Sequence, residues 1–335
     1  MDITQHLYGT TARGEQVDAF TLDNGQGITV RLITYGARII SCITPDRHGV
    51  LEEITHCSPH LSELETSMPY HGATIGRYTN RIAGKTIRID GADYELSVNQ
   101  PHCQLHGGPG GLHQVVWDAI PIKQEGRVSV VCTCTSPDGD QGFPGSLEIA
   151  LTVTLTSSGE LIFLYNAEAS HPTYVSLTNH TYWNLSGSGS IFDHLMMINA
   201  SDVVEVDENL LPSGSLIPVQ GTCYDFTASK PIGRDASAVG NSGGYDTCYV
   251  IHGHRTGTLV LAARAEDPAS GRMMEVLTDA PGVQFYTDNF GDPPHRGFCL
   301  EAGELPDAMH HPSFPQPLVR PGETYRQCTI HRFFS

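Results

Sequence analysis

Leu147-Glu148-Ile149-Ala150-Leu151-Thr152-Val153-Thr154-Leu155, followed by Ser157-Ser158-Gly159-Glu160 and then Leu161-Ile162-Phe163-Leu164-Tyr165, is the stretch that decides the fold class. Leu147, Ile149, Leu151, Val153 and Leu155 occupy every second position, with polar or small residues between them. Side chains alternate between the two faces of a strand, so this period buries one face and leaves the other in water. The Ser-Ser-Gly-Glu segment turns the chain, and Leu161, Phe163 and Tyr165 return on the same period. The pattern predicts a half-buried antiparallel hairpin.

Working outward, the same kind of run recurs at residues 17–22, 28–33, 39–43, 128–133, 191–200, 248–251, 258–264, 274–278 and 284–287. Asp23-Asn24-Gly25 separates the first two runs. Asp90-Gly91 sits between 86–89 and 94–96, the dipeptide that a two-residue hairpin turn requires. Residues 51–75 carry no regular period, and nowhere does a 3.6-residue period persist for four turns. No internal repeat or Pro/Ser linker interrupts the chain. The expectation is an all-β protein, one large antiparallel β-sandwich of two packed sheets, with residues 1–335 forming a single domain.

Composition agrees. Gly and Pro number 35 and 21, a turn-rich total suited to many short strands, while only 17% of residues are charged and 39% are hydrophobic. The formal charge is −18, from 37 acids against 19 bases. That balance argues against nucleic acid or an anionic membrane surface as partner. It also weighs against a phosphorylated substrate. The nine cysteines are an odd number without a Cys-x-x-Cys, the first residues carry no signal-peptide pattern, and no apolar run approaches membrane-spanning length. A cytoplasmic protein with reduced thiols is expected.

Several segments break the apolar alternation. Thr173-Tyr174-Val175-Ser176-Leu177 begins as a strand and runs into Thr178-Asn179-His180-Thr181-Tyr182-Trp183-Asn184-Leu185. Amides, a hydroxyl and an imidazole in succession are costly in an apolar core but useful in a pocket that grips a hydroxylated molecule. Gly76-Arg77-Tyr78-Thr79-Asn80-Arg81-Ile82 places two Arg around an Asn, and Arg suits fixed multi-donor contact with oxygens. Leu105-His106-Gly107-Gly108 puts a His before two residues that allow close backbone approach. Gly243-Gly244-Tyr245-Asp246 ends a turn in an acid, and Pro281-Gly282-Val283-Gln284-Phe285-Tyr286-Thr287 sets an amide among aromatics. In Gly297-Phe298-Cys299-Leu300-Glu301 a carboxylate ends an apolar run, where burial would raise its pKa towards the range of a general base. Each segment alone also has an ordinary structural reading: a core histidine, a surface ion pair, an Asx turn.

With 17 His, a metal site competes as an explanation. The pairs His102/His106, His252/His254 and His310/His311 come without a helix to align them or a carboxylate or thiolate set to complete them. No metal and no cofactor is expected.

Taken together, the segments resemble the aldose 1-epimerase (galactose mutarotase) family. The resemblance is carried by 76–83, 105–108, Ser136-Pro137-Asp138-Gly139-Asp140-Gln141-Gly142-Phe143-Pro144-Gly145, 179–185, 244–246, 281–287, 298–301 and Pro321-Gly322-Glu323-Thr324-Tyr325, in that order. It implies a large sandwich of the galactose mutarotase-like supersandwich kind, with the sugar site on one face. Carried over by position, Glu301 matches the general base and His180 the general acid. Asn80, Arg81, His106, Tyr182, Asp246 and Gln284 match substrate-binding positions, and Arg77 shares their motif. The implied partner is a free monosaccharide such as galactose or glucose, bound by a monomer or homodimer.

The residue types fit that chemistry. Interconverting anomers requires removal of the C1 hydroxyl proton and protonation of the ring oxygen, then the reverse after rotation about C1–C2. A carboxylate and an imidazole suffice, each typically worth roughly 10²–10⁴-fold. Two departures bear on substrate choice. Gly303 stands where the family commonly has Gln, and the segment between Asn289 and Gly297 is short, which would open one wall of the cleft. The alternatives are a hexose-6-phosphate 1-epimerase, which would need extra cations at the far end of the sugar, and a non-catalytic sugar-binding protein, which would need neither Glu301 nor His180. More distant is a glycosidase pairing Glu301 with Glu304 or Asp140.

Overall fold

The computed structural model describes residues 1–240, 243–254 and 257–335. The deciding hairpin forms as expected: Leu147–Thr156 pairs antiparallel with Glu160–Ala169, with Leu151 opposite Tyr165 and Val153 opposite Phe163. Leu147, Ile149, Leu151, Val153, Leu155, Leu161, Phe163 and Tyr165 are all buried. Asp90-Gly91 likewise makes a two-residue turn between Thr86–Ile89 and Ala92–Glu95, with φ of 50° and 86°.

These strands belong to larger sheets. A nine-stranded sheet runs, in spatial order, Asp118–Gln124, Arg127–Ser136, Leu147–Thr156, Glu160–Ala169, Thr324–Phe334, Met273–Thr278, Val260–Glu266, Leu195–Ile198 and Lys230–Pro231. A five-stranded sheet orders Pro212–Pro218, Ala200–Val206, Asp246–Ile251, Gly282–Tyr286 and Cys299–Gly303. An N-terminal five-stranded sheet is a plain meander from Asp2–Thr10 to Leu51–Glu53. Named strand pairs among the described residues are antiparallel. The fold is therefore all-β, and three large sheets replace the expected two. Phe20 and Leu32 from the N-terminal sheet, Val153 and Phe163 from the nine-stranded sheet, and Tyr249 and Phe285 from the other five-stranded sheet meet in one apolar core.

Residues 173–185 open as a strand, as the sequence suggested, but the strand is shorter than the alternation through Thr178 implied, and every one of the thirteen is buried. Only Thr173–Tyr174 and Thr178–Asn179 join ladders, with Leu318–Val319 and Thr74–Ile75 respectively. The segment threads through the interior, so both of its faces need partners, and its amides and hydroxyls find them there. Asn179 Nδ2 donates to Gly72 O at 2.8 Å, and Asn184 Nδ2 donates to Arg296 O at 2.8 Å. Glu301 lies within its strand rather than ending it.

Candidate active site

The strands Asp246–Ile251, Gly282–Tyr286 and Cys299–Gly303 lie side by side, with Asp246 opposite Tyr286 and Gln284 opposite Glu301. Alternation puts Asp246, Gln284, Tyr286, Cys299 and Glu301 on one face of this sheet. His180 enters from the other side, immediately after its short ladder. Both its backbone groups are fixed, His180 N donating to Ala73 O and His180 O accepting from Gly72 N. Between them lies a cleft of about 230 Å³, small enough to suit a small ligand.

The cleft is lined by Asn80, Arg81, His106, His180, Tyr182, Asp246, Gln284 and Glu301, with Tyr70, Gln100, Leu105, Tyr286 and Phe290. Eight of the nine sequence-derived positions thus converge. Arg77 does not. Its guanidinium is buried and donates to the carbonyls of Ser136, Pro137, Pro144 and Gly145 at 2.9–3.1 Å, holding the 136–145 loop in place. Burial lowers its pKa to about 10, with Asp140 and Asp138 opposing the shift. The substrate-contact role expected for Arg77 is replaced by a structural one. Asp140 is similarly engaged, accepting from Ser136 Oγ at 2.6 Å.

Asn80 and His106 hold one another. His106 N donates to Asn80 O at 3.0 Å, and Asn80 N donates to His106 Nδ1 at 3.2 Å. Both residues are left-handed, with φ of 59° and 53°, a conformation that non-glycine residues keep where surrounding contacts enforce it. Gly107 permits the close approach: a Cβ there would lie 1.9 Å from Gly76 O. Because His106 Nδ1 accepts from a backbone N–H, the neutral ring carries its proton on Nε2.

At the base of the cleft His180 Nε2 stands 3.6 Å from Glu301 Oε1, and both side chains are about 5% exposed or less. Burial raises the Glu301 pKa well above its ordinary value, Asp246 adding to the shift and Arg81 opposing it. Burial likewise lowers His180 to about 4, only partly offset by its own backbone carbonyl. Desolvation is the largest cause of both shifts. His106 is pushed well below its usual value by burial, then by His180 and Arg81. His71 and His113, behind the cleft, fall to about 3, also through burial.

Polar groups aimed at the cleft are only partly satisfied. Gln284 Nε2 donates to Asp246 Oδ1 at 2.5 Å, and Arg81 Nη2 lies 3.4 Å from Asp246 Oδ2. Arg81 Nε and Gln284 Oε1 are buried without a hydrogen-bond partner among the described residues. Arg81 is the one Arg or Lys among the described lining residues. His106, His180 and Glu301 bring potential metal-ligand atoms within 4.8 Å of one another. The Asn80 bond works against that use, since the Nε2 of His106 presents a proton rather than a lone pair.

Sequence reasoning missed the wall around Tyr70. Tyr70 packs against His106 and His113 with ring centroids 4.9 and 4.8 Å away, and His71 stacks on Tyr182 at 3.9 Å. Arg38, fully buried, holds this wall by donating to the carbonyls of Met68, Pro69, His71 and His113. Residues 51–75 have no period to reveal it. Tyr286 and Phe290 lay inside or beside segments already marked. Phe290, 76% exposed, stands at the rim, at the start of the 289–297 segment. Gly303 is not among the lining residues; a Cβ there would start 3.2 Å from the hydroxyls of Ser176 and Thr79.

A buried His–Glu pair with convergent polar groups, seated on a large antiparallel sandwich, has the make-up of an enzyme site for a small polar molecule. The family model for aldose 1-epimerase matches residues 18–332, and the chain belongs to that family. Galactose mutarotase from Homo sapiens is 38% identical over 99% of this chain and 98% of its own length. Aldose 1-epimerase from Escherichia coli (strain K12) is 35% identical over 96% of each. The crystal structure of an aldose epimerase homologue from C. elegans superimposes with a TM-score of 0.86 at 29% identity, covering 94% of this chain and 98% of that one. Among the described residues, no helix is long and apolar enough to cross a membrane.

Proposed function

We propose that this isomerase interconverts the α and β anomers of a free aldohexose such as galactose or glucose. Glu301 acts as the base on the C1 hydroxyl and His180 as the acid on the ring oxygen. The observation that carries this reading is the 3.6 Å separation of His180 Nε2 and Glu301 Oε1 in a buried cleft. O1 and O5 share carbon 1, so groups this close can address both.

The proton balance is closed. Glu301 removes the O1 proton, the C1=O bond forms, the C1–O5 bond breaks, and O5 takes the proton from His180. After rotation about C1–C2, Glu301 returns its proton to the new hydroxyl while His180 recovers its own from O5 as the ring closes. The pair holds one proton throughout, first on the imidazole, then on the carboxyl. Both burial-driven shifts favour the neutral arrangement, with the proton resting on Glu301, so the charged form that opens the ring is reached by passing that proton to His180. His106 Nε2–H and Arg81 would support charge developing at the oxygens, and Asp246 and Gln284 would bond sugar hydroxyls.

Arg81, the lining cation, is engaged by Asp246, which supports an unphosphorylated substrate. The nine free thiols support a reducing compartment, the cytoplasm. The core shared by the three large sheets supports reading residues 1–335 as one domain. Anomer exchange followed by NMR or polarimetry on galactose, glucose and glucose 6-phosphate tests the reading. Accelerated exchange of the free sugars is expected, and preference for the phosphate would overturn the substrate assignment.

A further inference from the structure

Cys299 Sγ lies 3.4 Å from His180 Nδ1, and the thiol is fully buried. Cys299 precedes Glu301 by two positions on the same strand, so both side chains emerge on the same face. His180 is thereby gripped at both nitrogens by one strand: Nδ1 by the sulfur, Nε2 by the carboxyl. The mechanism above uses Nε2 and leaves the other end of the ring unexplained.

What stands at Nδ1 decides what Nε2 can do. A carboxylate would hold the Nδ1 proton but add a charge that raises the imidazole's pKa and weakens it as an acid. A backbone N–H, as at His106, would force the neutral ring's proton onto Nε2. An apolar side chain would leave Nδ1 with only its own backbone carbonyl to accept from it. A thiol is a weak acceptor without charge, and its own pKa is raised well above the usual value by burial, so it remains neutral. The ring's own backbone carbonyl acts in the same sense, favouring a proton on the ring.

We propose that Cys299 is a positioning residue for His180: its sulfur accepts from Nδ1–H in both protonation states, so that Nε2 alone exchanges its proton with the ring oxygen. His106 and His180, whose ring centroids are 5.1 Å apart, then hold opposite neutral tautomers. His106 is a permanent donor, and His180 is the nitrogen that gives and takes back. This assignment rests on the roles proposed for Glu301 and His180. Other groups also act on His180. Glu301, His106, Tyr70 and Tyr182 face it directly, and His71, His113 and Arg38 act on it at longer range. Substituting Cys299 leaves all of these in place.

The test uses the full-length protein with Cys299→Ser, Cys299→Ala and Cys299→Val, each checked by thermal unfolding. Histidine ¹⁵N shifts in the sugar-free protein report the His180 tautomer without reference to turnover. Wild type and Cys299→Ser are expected to carry the proton on Nδ1, and Ala and Val to weaken that preference measurably, only the ring's own backbone carbonyl then remaining as acceptor. In mutarotation, Ala and Val should lower kcat by about tenfold or more with KM little changed, and displace the acid limb of the pH profile. Ser should remain within about threefold of wild type in kcat, since a hydroxyl also accepts. A wild-type His180 protonated on Nε2, or Ala equal to wild type in tautomer and pH profile, would overturn the assignment. So would Ser failing as Ala does, since Ser preserves the acceptor with little change in volume. Absence of mutarotation in wild type would remove the proposed function instead, leaving the tautomer measurement to stand alone.

Discussion

Gln284 is the direct cross-strand neighbour of Glu301, and its amide donates to Asp246 at 2.5 Å. One neutral side chain therefore stands between the two carboxylates of the cleft, engaging one and flanking the other. Gln284→Glu should replace a donor with a third negative charge. The added charge disfavours ionisation of Glu301, so kcat/KM is expected to fall by about 10²-fold and the alkaline limb of the pH profile to move upward. Full pH–rate profiles of the variant check both, and an unmoved limb would contradict the account.

The wild-type profile follows from the same pair. The active form holds one proton between His180 and Glu301. Below pH about 4 the pair takes up a second proton at His180, and activity is lost. The remaining proton is retained well above the ordinary carboxylate range because burial raises Glu301. The result is a broad plateau bounded by two macroscopic values belonging to the pair. Arg81 opposes the Glu301 shift and Asp246 adds to it, so Arg81→Met should move the alkaline limb up and Asp246→Asn should move it down. Initial-rate mutarotation from pH about 3 to 10 measures these displacements.

Arg77 and Arg81 separate cleanly by experiment. Arg77→Met leaves four backbone carbonyls short of a donor and should cost about 3 kcal/mol in urea unfolding, with the KM for galactose little changed. Arg81→Met should raise KM with a smaller effect on stability. The reverse pattern would return Arg77 to the sugar.

Away from the cleft, His310 Nδ1 bonds Asp307 Oδ1 at 2.6 Å, and this bond raises the His310 pKa above its ordinary value. The folded pKa exceeds the unfolded one, so the stabilisation is fully present below the ordinary histidine value and fades as pH rises through the raised value. His310→Gln should therefore flatten the fall in stability across that window. Urea midpoints at pH about 5.5 and 8.5 for both proteins decide it.

How much of this was legible from the chain depends on what each strand buries. The Leu147–Thr156 and Glu160–Ala169 hairpin reads openly because its inward face is apolar throughout. Thr324–Phe334, at the centre of the same sheet, escaped notice beyond its first two residues. Its inward side chains include Gln327, Thr329 and His331, so burial there is not written in hydrophobicity. Burial takes His331 down to about 3, in keeping with a neutral ring packed between Phe163 and Trp183. Asp118–Gln124 hid for the opposite reason: it is a sheet edge that exposes Ile120 and Ile122.

At the site, short motifs marked eight lining residues because polar clusters stand out against an alternating background. They could not tell Arg77 from Arg81. The left-handed Asn80 between them breaks the strand period and sends the two side chains to different places. Tyr70 and Arg38 act through carbonyls and ring faces, which leave no pattern in a sequence.

Glu301→Gln tests the central claim most directly, with the mutarotation rate measured by NMR exchange and galactose affinity by calorimetry on the same preparation. The acid–base account predicts a loss of at least about 10²-fold in rate, with Kd held within about tenfold, or ~1.4 kcal/mol. Mutarotation at the wild-type rate in that variant would contradict it.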